Sequence, residues 1–166
     1  MAKKKRKPSP HEIFKQAINS ADHLQLKNGL AAVKRGEGKG RIRASDSEQV
    51  LGSADIDGDC CRAAPNANRW DYVIGYNRSG NVVAYFVEVH SAVTSEVSRI
   101  EKKLQWLVEE FLPNENNVKL AALPREIHWV ASGKVKILKH TRQYRFLRTT
   151  LRKKGLRGPS KQLTMK

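Results

Sequence analysis

The chain has 166 residues, 39% of them hydrophobic, and a formal net charge of +16. That length suits one compact domain with short tails, and its apolar stretches are too short to cross a bilayer. A pI near 10.2 points to nucleic acid as partner ahead of an anionic membrane, and no membrane partner is expected.

The charge is sorted along the chain. Residues 1–43 hold 12 Lys/Arg and 3 Asp/Glu, residues 44–127 hold 8 and 13, and residues 128–166 hold 12 and none. Two basic arms therefore flank an acidic middle, so a polyanion is attracted to the arms while acids in the middle can hold a cation. The two cysteines, Cys60 and Cys61, are adjacent. Neighbouring cysteines make a strained disulfide, so both read as reduced thiols in an intracellular protein. They also lack the spacing of a zinc site.

Residues 1–8 read as a disordered basic arm, 9–155 as a single α/β domain, and 156–166 as a basic C-terminal tail. The opening run, with Lys3, Lys4, Lys5 and Arg6, resembles a nuclear import signal; in a prokaryotic chain it is a solvated arm that touches phosphates. The expected location is accordingly the nucleus in a eukaryote or the nucleoid-bearing cytoplasm in a prokaryote. The basic start runs into Pro-Ser-Pro rather than an apolar run, so no signal peptide is expected.

Ser9-Pro10-His11-Glu12 announces a helix, with Ser9 as N-cap, Pro10 in the first turn and Glu12 completing a capping box. Ile13, Phe14, Ala17, Ile18, Ala21 and Leu24 follow at helical spacing. A short helix is expected over Gly29–Arg35. The glycine-rich loop behind it carries Lys39 and Arg41 and is expected to face nucleic acid; no Gly-Lys-Ser/Thr follows, so it is not a nucleotide cradle. Residues 45–68 give no clear pattern. Asp55, Asp57 and Asp59 resemble a calcium loop only briefly, because Gly58 comes too early and the twelfth position is Asn66.

The middle is more legible. Arg69–Tyr76 and Asn81–His90 read as two strands joined by the turn Asn77-Arg78-Ser79-Gly80. Centring that turn on Arg78-Ser79 sets Tyr72 opposite Tyr85 and Asp71 opposite Phe86. One face then collects Tyr72, Ile74, Val83, Tyr85, Val87 and Val89; the other collects Asp71, Val73, Phe86, Glu88 and His90. Asp71 and Glu88 become diagonal neighbours within reach of one ion. Buried unpaired carboxylates cost several kcal/mol, roughly, so a partner is expected. A divalent metal is one such partner. The alternatives are a face open to solvent, or pairing with Arg69 or Lys103.

A helix is expected over 95–112, with Val97, Ile100, Leu104, Leu107, Val108 and Phe111 as its apolar stripe and Pro113 as its stop. A strand follows near 126–132. The last helix, 141–154, ends at Gly155 and turns Tyr144, Leu147 and Leu151 inward while its other faces carry Arg145, Arg148, Arg152 and Lys153. These cations join the arm lysines as expected phosphate contacts. Trp70, Trp106 and Trp129 can stack on bases, although Trp129 reads as core. His128 reads as a structural histidine on the opposite sheet face.

Asp71 before one strand and Glu88-Val89-His90 at the end of the next, followed by an amphipathic helix, resemble the PD-(D/E)XK nuclease superfamily over roughly residues 65–132. The resemblance implies a restriction-endonuclease-like α/β (α+β) fold: a mixed central sheet with a β-hairpin, flanked by helices. It implies that Asp71 and Glu88 bind magnesium or manganese, that His90 stands where the motif has lysine, and that Glu96 is an accessory acid. Lys103, two turns into the next helix, can reach back as a migrated lysine, though a solvated position is the plainer place for it. The function expected is divalent-metal-dependent cleavage of DNA phosphodiesters. The alternatives are a nuclease-like nucleic-acid-binding module without catalysis and a basic RNA-binding protein of the translation machinery. Such nucleases often cut both strands as homodimers, and no interface is marked in the sequence.

Overall fold

Ser9 opens the fold. In the computed structural model, which describes residues 6–33 and 38–166, the Ser9 hydroxyl accepts from the Glu12 N–H at 3.2 Å. The Glu12 carboxylate accepts in turn from the Ser9 N–H at 2.6 Å. This is the expected capping box, and helix α1 runs Pro10–Ser20 behind it, burying Phe14, Ala17 and Ile18. The helix expected over 29–35 does not form in its described part. Residues 29–33 make turns, with Ala31 N–H donating to Asn28 C=O and Val33 N–H to Leu30 C=O. So short a segment gains too few helical bonds to offset nucleation.

The unclear stretch contains two strands. β1 is Ile42–Ala44 and β2 is Val50–Asp55. β2 is buried on both faces from Leu51 onward, which removes the alternation that marks a strand in sequence. Asp55 then caps the short helix α2, Ile56–Cys60, accepting from Gly58 N–H at 2.8 Å. The aspartate cluster is thus a helical turn, as its mismatch to a calcium loop implied.

β3 (Tyr72–Arg78) and β4 (Asn81–His90) form the hairpin. Its register is two residues away from the one expected: Tyr72 opposes Val87, and Arg78 opposes Asn81. The turn centres on Ser79-Gly80, both at positive φ (52° and 86°), the two-residue geometry that matches strand twist. A shift of two preserves side-chain parity, so the two faces collect the residues expected of them. Both faces are buried. Val73, Ala84 and Phe86 join the helix-side core, while Tyr72, Ile74, Tyr85 and Val87 join a second core. The solvent-open alternative for the Asp71 face is therefore corrected.

α3 (Val97–Gln105) extends through a π-helical turn, Trp106–Phe111, and returns the chain through the short helix α4 (Val118–Ala121) to β5 (Arg125–Ala131). β5 lies parallel to β4. α5 (Arg142–Phe146) likewise runs into a π-helical turn to Leu151, and Gly155 (φ 92°) ends it. Residues 156–166 are not a loose tail. β6 (Leu156–Ser160) pairs parallel with β5, and β7 (Leu163–Met165) pairs parallel with β1, because Leu156, Leu163 and Met165 are buried.

The result is an α+β fold with a five-stranded mixed sheet, order β2-β3-β4-β5-β6, flanked by helices. α1, α3 and the C-terminal helix pack on one face; the β1–β7 pair and residues near Leu30 and Val33 cover the other. Gly75 lets α1 approach: a Cβ there would meet the Phe14 ring at 2.5–2.7 Å. No described helix is long and apolar enough to cross a membrane.

Candidate active site

The hairpin register decides the site. With Tyr72 opposite Val87, Asp71 lies directly opposite Glu88 rather than diagonal to it. Each carboxylate is tied to the other's backbone. Glu88 Oε2 accepts from Asp71 N–H at 3.1 Å, and Asp71 Oδ2 accepts from Val89 N–H at 2.9 Å. Lys103, on the α3 face that meets the sheet, closes the group. Its Nζ donates to Asp71 Oδ1 at 3.3 Å and to Glu88 Oε1.

The lysine is therefore not a solvated helix position. Its side chain is 13% exposed, against 16% for Asp71 and 0% for Glu88. It flanks Ile100 and Leu104 in the apolar stripe, so the turn that buries them carries Lys103 to the sheet. His90 does not stand between the carboxylates. Its Nε2 is 2.5 Å from Glu96 Oε2, and its Nδ1 lies 3.8 Å from Glu88 Oε1. The accessory acid expected at Glu96 is thus the residue that orients His90. Arg69 does not pair with Asp71 or Glu88: its Nε donates to Asp57 Oδ1 at 2.9 Å.

Burial, and then the neighbouring Asp71 charge, push the Glu88 carboxyl well above the usual carboxylate range. Burial opposes the Lys103 ammonium, but Glu88 and Asp71 together outweigh it and raise its pKa. The lysine therefore stays charged, and Glu88 holds a proton more readily than an exposed glutamate.

Asp71, His90 and Lys103 line a cleft of about 280 Å³ with Asp57, Ala67, Asn68, Arg69, Val89 and Arg99, while Glu88 is fully buried and does not reach its wall. Arg99 was missed in the sequence. Its spacing of four from Lys103 puts both cations on one face of α3, which is the signal that finds it.

Asp71 and Glu88 supply hard oxygen donors of the type magnesium and manganese take, and such ions need only one or two carboxylates when waters and phosphate complete the shell. Among the described residues no group of three or more His, Cys, Asp or Glu is arranged to hold a metal. The Lys103 ammonium lies on one oxygen of each acid, so loading requires it to move aside.

The expected phosphate contacts separate. Arg148, Arg152 and Lys153 line one cleft with Arg125, Lys154 and Arg157. Arg145 is exposed on α5 outside that lining. Lys39 and Arg41 sit beside β1, where Arg41 donates to Lys161 C=O at 3.3 Å. Arg6 is exposed, and Lys3, Lys4 and Lys5 lie outside the described residues. The three tryptophans are core residues, with Trp70 and Trp129 at 0% exposure and Trp106 at 7%. Base stacking on them is corrected: each ring has more apolar area to bury than the surface leaves open. His128 is the structural histidine expected, 3.0 Å from Glu126 and stacked on Tyr85. No family model, curated protein or solved structure matches this chain.

Proposed function

We propose that this protein is a divalent-metal-dependent nuclease that hydrolyses phosphodiester bonds of DNA, with Asp71, Glu88 and Lys103 as its catalytic residues. The observation that carries the reading is Lys103. The motif lacks lysine at position 90, and α3 supplies one to the same two carboxylates. With the short β1 and α2 set aside, the order α1-β2-β3-β4-α3-β5, three antiparallel strands followed by a parallel one, agrees with the helix, strands, helix, strand core of restriction-endonuclease-like proteins.

In this reading Asp71, on the cleft wall, and the buried Glu88 beside it would together hold magnesium or manganese. When bound, the ion polarises the phosphoryl group and lowers the pKa of a water. The Lys103 ammonium, which now bridges the two carboxylates, would be the group placed to stabilise negative charge developing on the phosphate oxygens. Arg99, exposed at the cleft rim, draws the backbone in. Glu96 fixes the ring of His90, which leaves the other imidazole nitrogen toward Glu88.

One observation favours a second reading. All four oxygens of Asp71 and Glu88 have protein donors, so the triad also serves as a closed structural ion group in a nucleic-acid-binding module without catalysis. Supercoiled plasmid separates the two. Nicking with magnesium or manganese that EDTA abolishes, and that Asp71→Asn and Lys103→Met each reduce by about 100-fold or more, is the expected result. Binding without nicking by wild type in either metal selects the second reading.

A further inference from the structure

The larger cleft lies away from the carboxylates. It measures about 740 Å³ and runs between the start of β5, β6 and the end of the C-terminal helix. Ile127, Leu147 and Leu156 on its wall belong to the helix-side core. Its rim carries six cations, Arg125, Arg148, Arg152, Lys153, Lys154 and Arg157, and one acid, Glu126.

That acid is already engaged. Its Oε1 accepts from Arg78 at 2.9 Å, and its Oε2 accepts from Arg157 at 2.6 Å and lies 3.0 Å from His128. Arg125 donates to Ala121 C=O at 3.1 Å. Arg148, Arg152, Lys153 and Lys154 are exposed, and among the described residues none pairs with a carboxylate. Arg148 and Arg152 are four apart, where like charges repel along a helix. The fold by itself gains nothing from collecting them here.

We infer that this cleft is an anchoring site for the phosphate backbone of nucleic acid, separate from the carboxylate cleft and without a part in bond breaking. It deepens the nuclease reading and rests on it for the identity of the polyanion. Arg148 to Lys154 spans roughly 9 Å of helix, the axial rise of about three phosphates on one strand. The exposed rim offers guanidinium and ammonium groups and no aromatic ring. It is therefore suited to backbone contact and carries no base readout. In the sheet order, β6 is three strand spacings from β3, roughly 14 Å across the strands, and the start of β5 pairs with Ala84–Phe86, further along β4 from the His90 end where the carboxylates lie.

The test measures binding of a fluorescein-labelled random-sequence duplex by anisotropy, in EDTA, between about 50 and 200 mM salt. The full chain is compared with Arg148→Ala/Arg152→Ala/Lys153→Ala and with a charge-matched control, Lys15→Ala/Lys27→Ala/Lys119→Ala. All six side chains are exposed, and thermal melting checks that each variant is folded. The cleft variant should bind at least about tenfold more weakly, with its log–log salt slope flattened by about 2.7, while the control stays near wild type. Equal loss in both variants makes the effect one of bulk charge and overturns the inference, as does unchanged binding in the cleft variant. Tripolyphosphate bound at this cleft while duplex is ignored overturns it too. Plasmid nicking with cleft-independent binding removes this inference alone. Cleft-dependent binding without nicking removes the nuclease reading alone.

Discussion

At the scale of residues, Lys103 and Glu88 set each other's charge. A lysine with a raised pKa contributes stability that is fully present below its ordinary value of 10.5 and is lost as pH rises through its folded value. A glutamate with a raised pKa acts in the same sense. Its contribution is greatest below 4.5 and declines as pH climbs through the folded value, because the native state binds the proton more tightly. Lys103→Met should therefore destabilise by an amount that grows as pH rises above 4.5, reaching about 3 kcal/mol once Glu88 is left as a buried carboxylate without its cation. Urea unfolding across a pH series reads this directly. Glu88→Gln should gain on wild type as pH rises above 4.5, and a gap that stays constant with pH would contradict the assignment. Lys103 was visible in the sequence as a cation at the edge of an apolar stripe. Its direction was not, because a lysine stem suits both an apolar border and solvent.

Elements meet where side chains permit close approach. α1 lies on the sheet with Phe14 against Gly75. Gly75→Ala should destabilise the fold by about 1–3 kcal/mol, because the new methyl enters a packed aromatic ring. Adding Phe14→Leu should recover part of that loss. A double-mutant cycle in urea checks the coupling, and strict additivity would show that the two residues do not touch. Helix periodicity located α1, α3 and the C-terminal helix, since each buries a stripe of the expected residues. Neither π-helical turn was readable, because one extra residue in a turn leaves no mark in composition. The hairpin existed in the pattern, but its register waited on which pair of residues took positive φ.

For the whole molecule, the C-terminal residues are structural. Met165 is fully buried and Leu163 is 6% exposed, in a strand that pairs with β1. Removing residues 156–166 strips β6 from the sheet edge and uncovers the second core. The truncated chain should lose its cooperative melting transition by circular dichroism, whereas shortening of a true tail would leave the midpoint unchanged. Met165→Asp should destabilise by about 3 kcal/mol for the same reason, a charge placed in a dry site.

By itself the sequence determined the charge partition, the α+β class, the main helices, the faces of the hairpin, and Asp71 and Glu88 as the carboxylates to watch. Those follow from periods of two and about four along the chain and from residue type, which are local properties. Tertiary structure alone decided that β2 exists, that 156–166 forms strands, and that Lys103 rather than His90 closes the carboxylate pair. It also gathered Arg125, Arg148, Arg152 and Lys153 into one cleft. Each of these depends on pairing or packing between residues far apart in the chain. The free energy that selects such contacts comes from burying surfaces together, and no local window of sequence holds it.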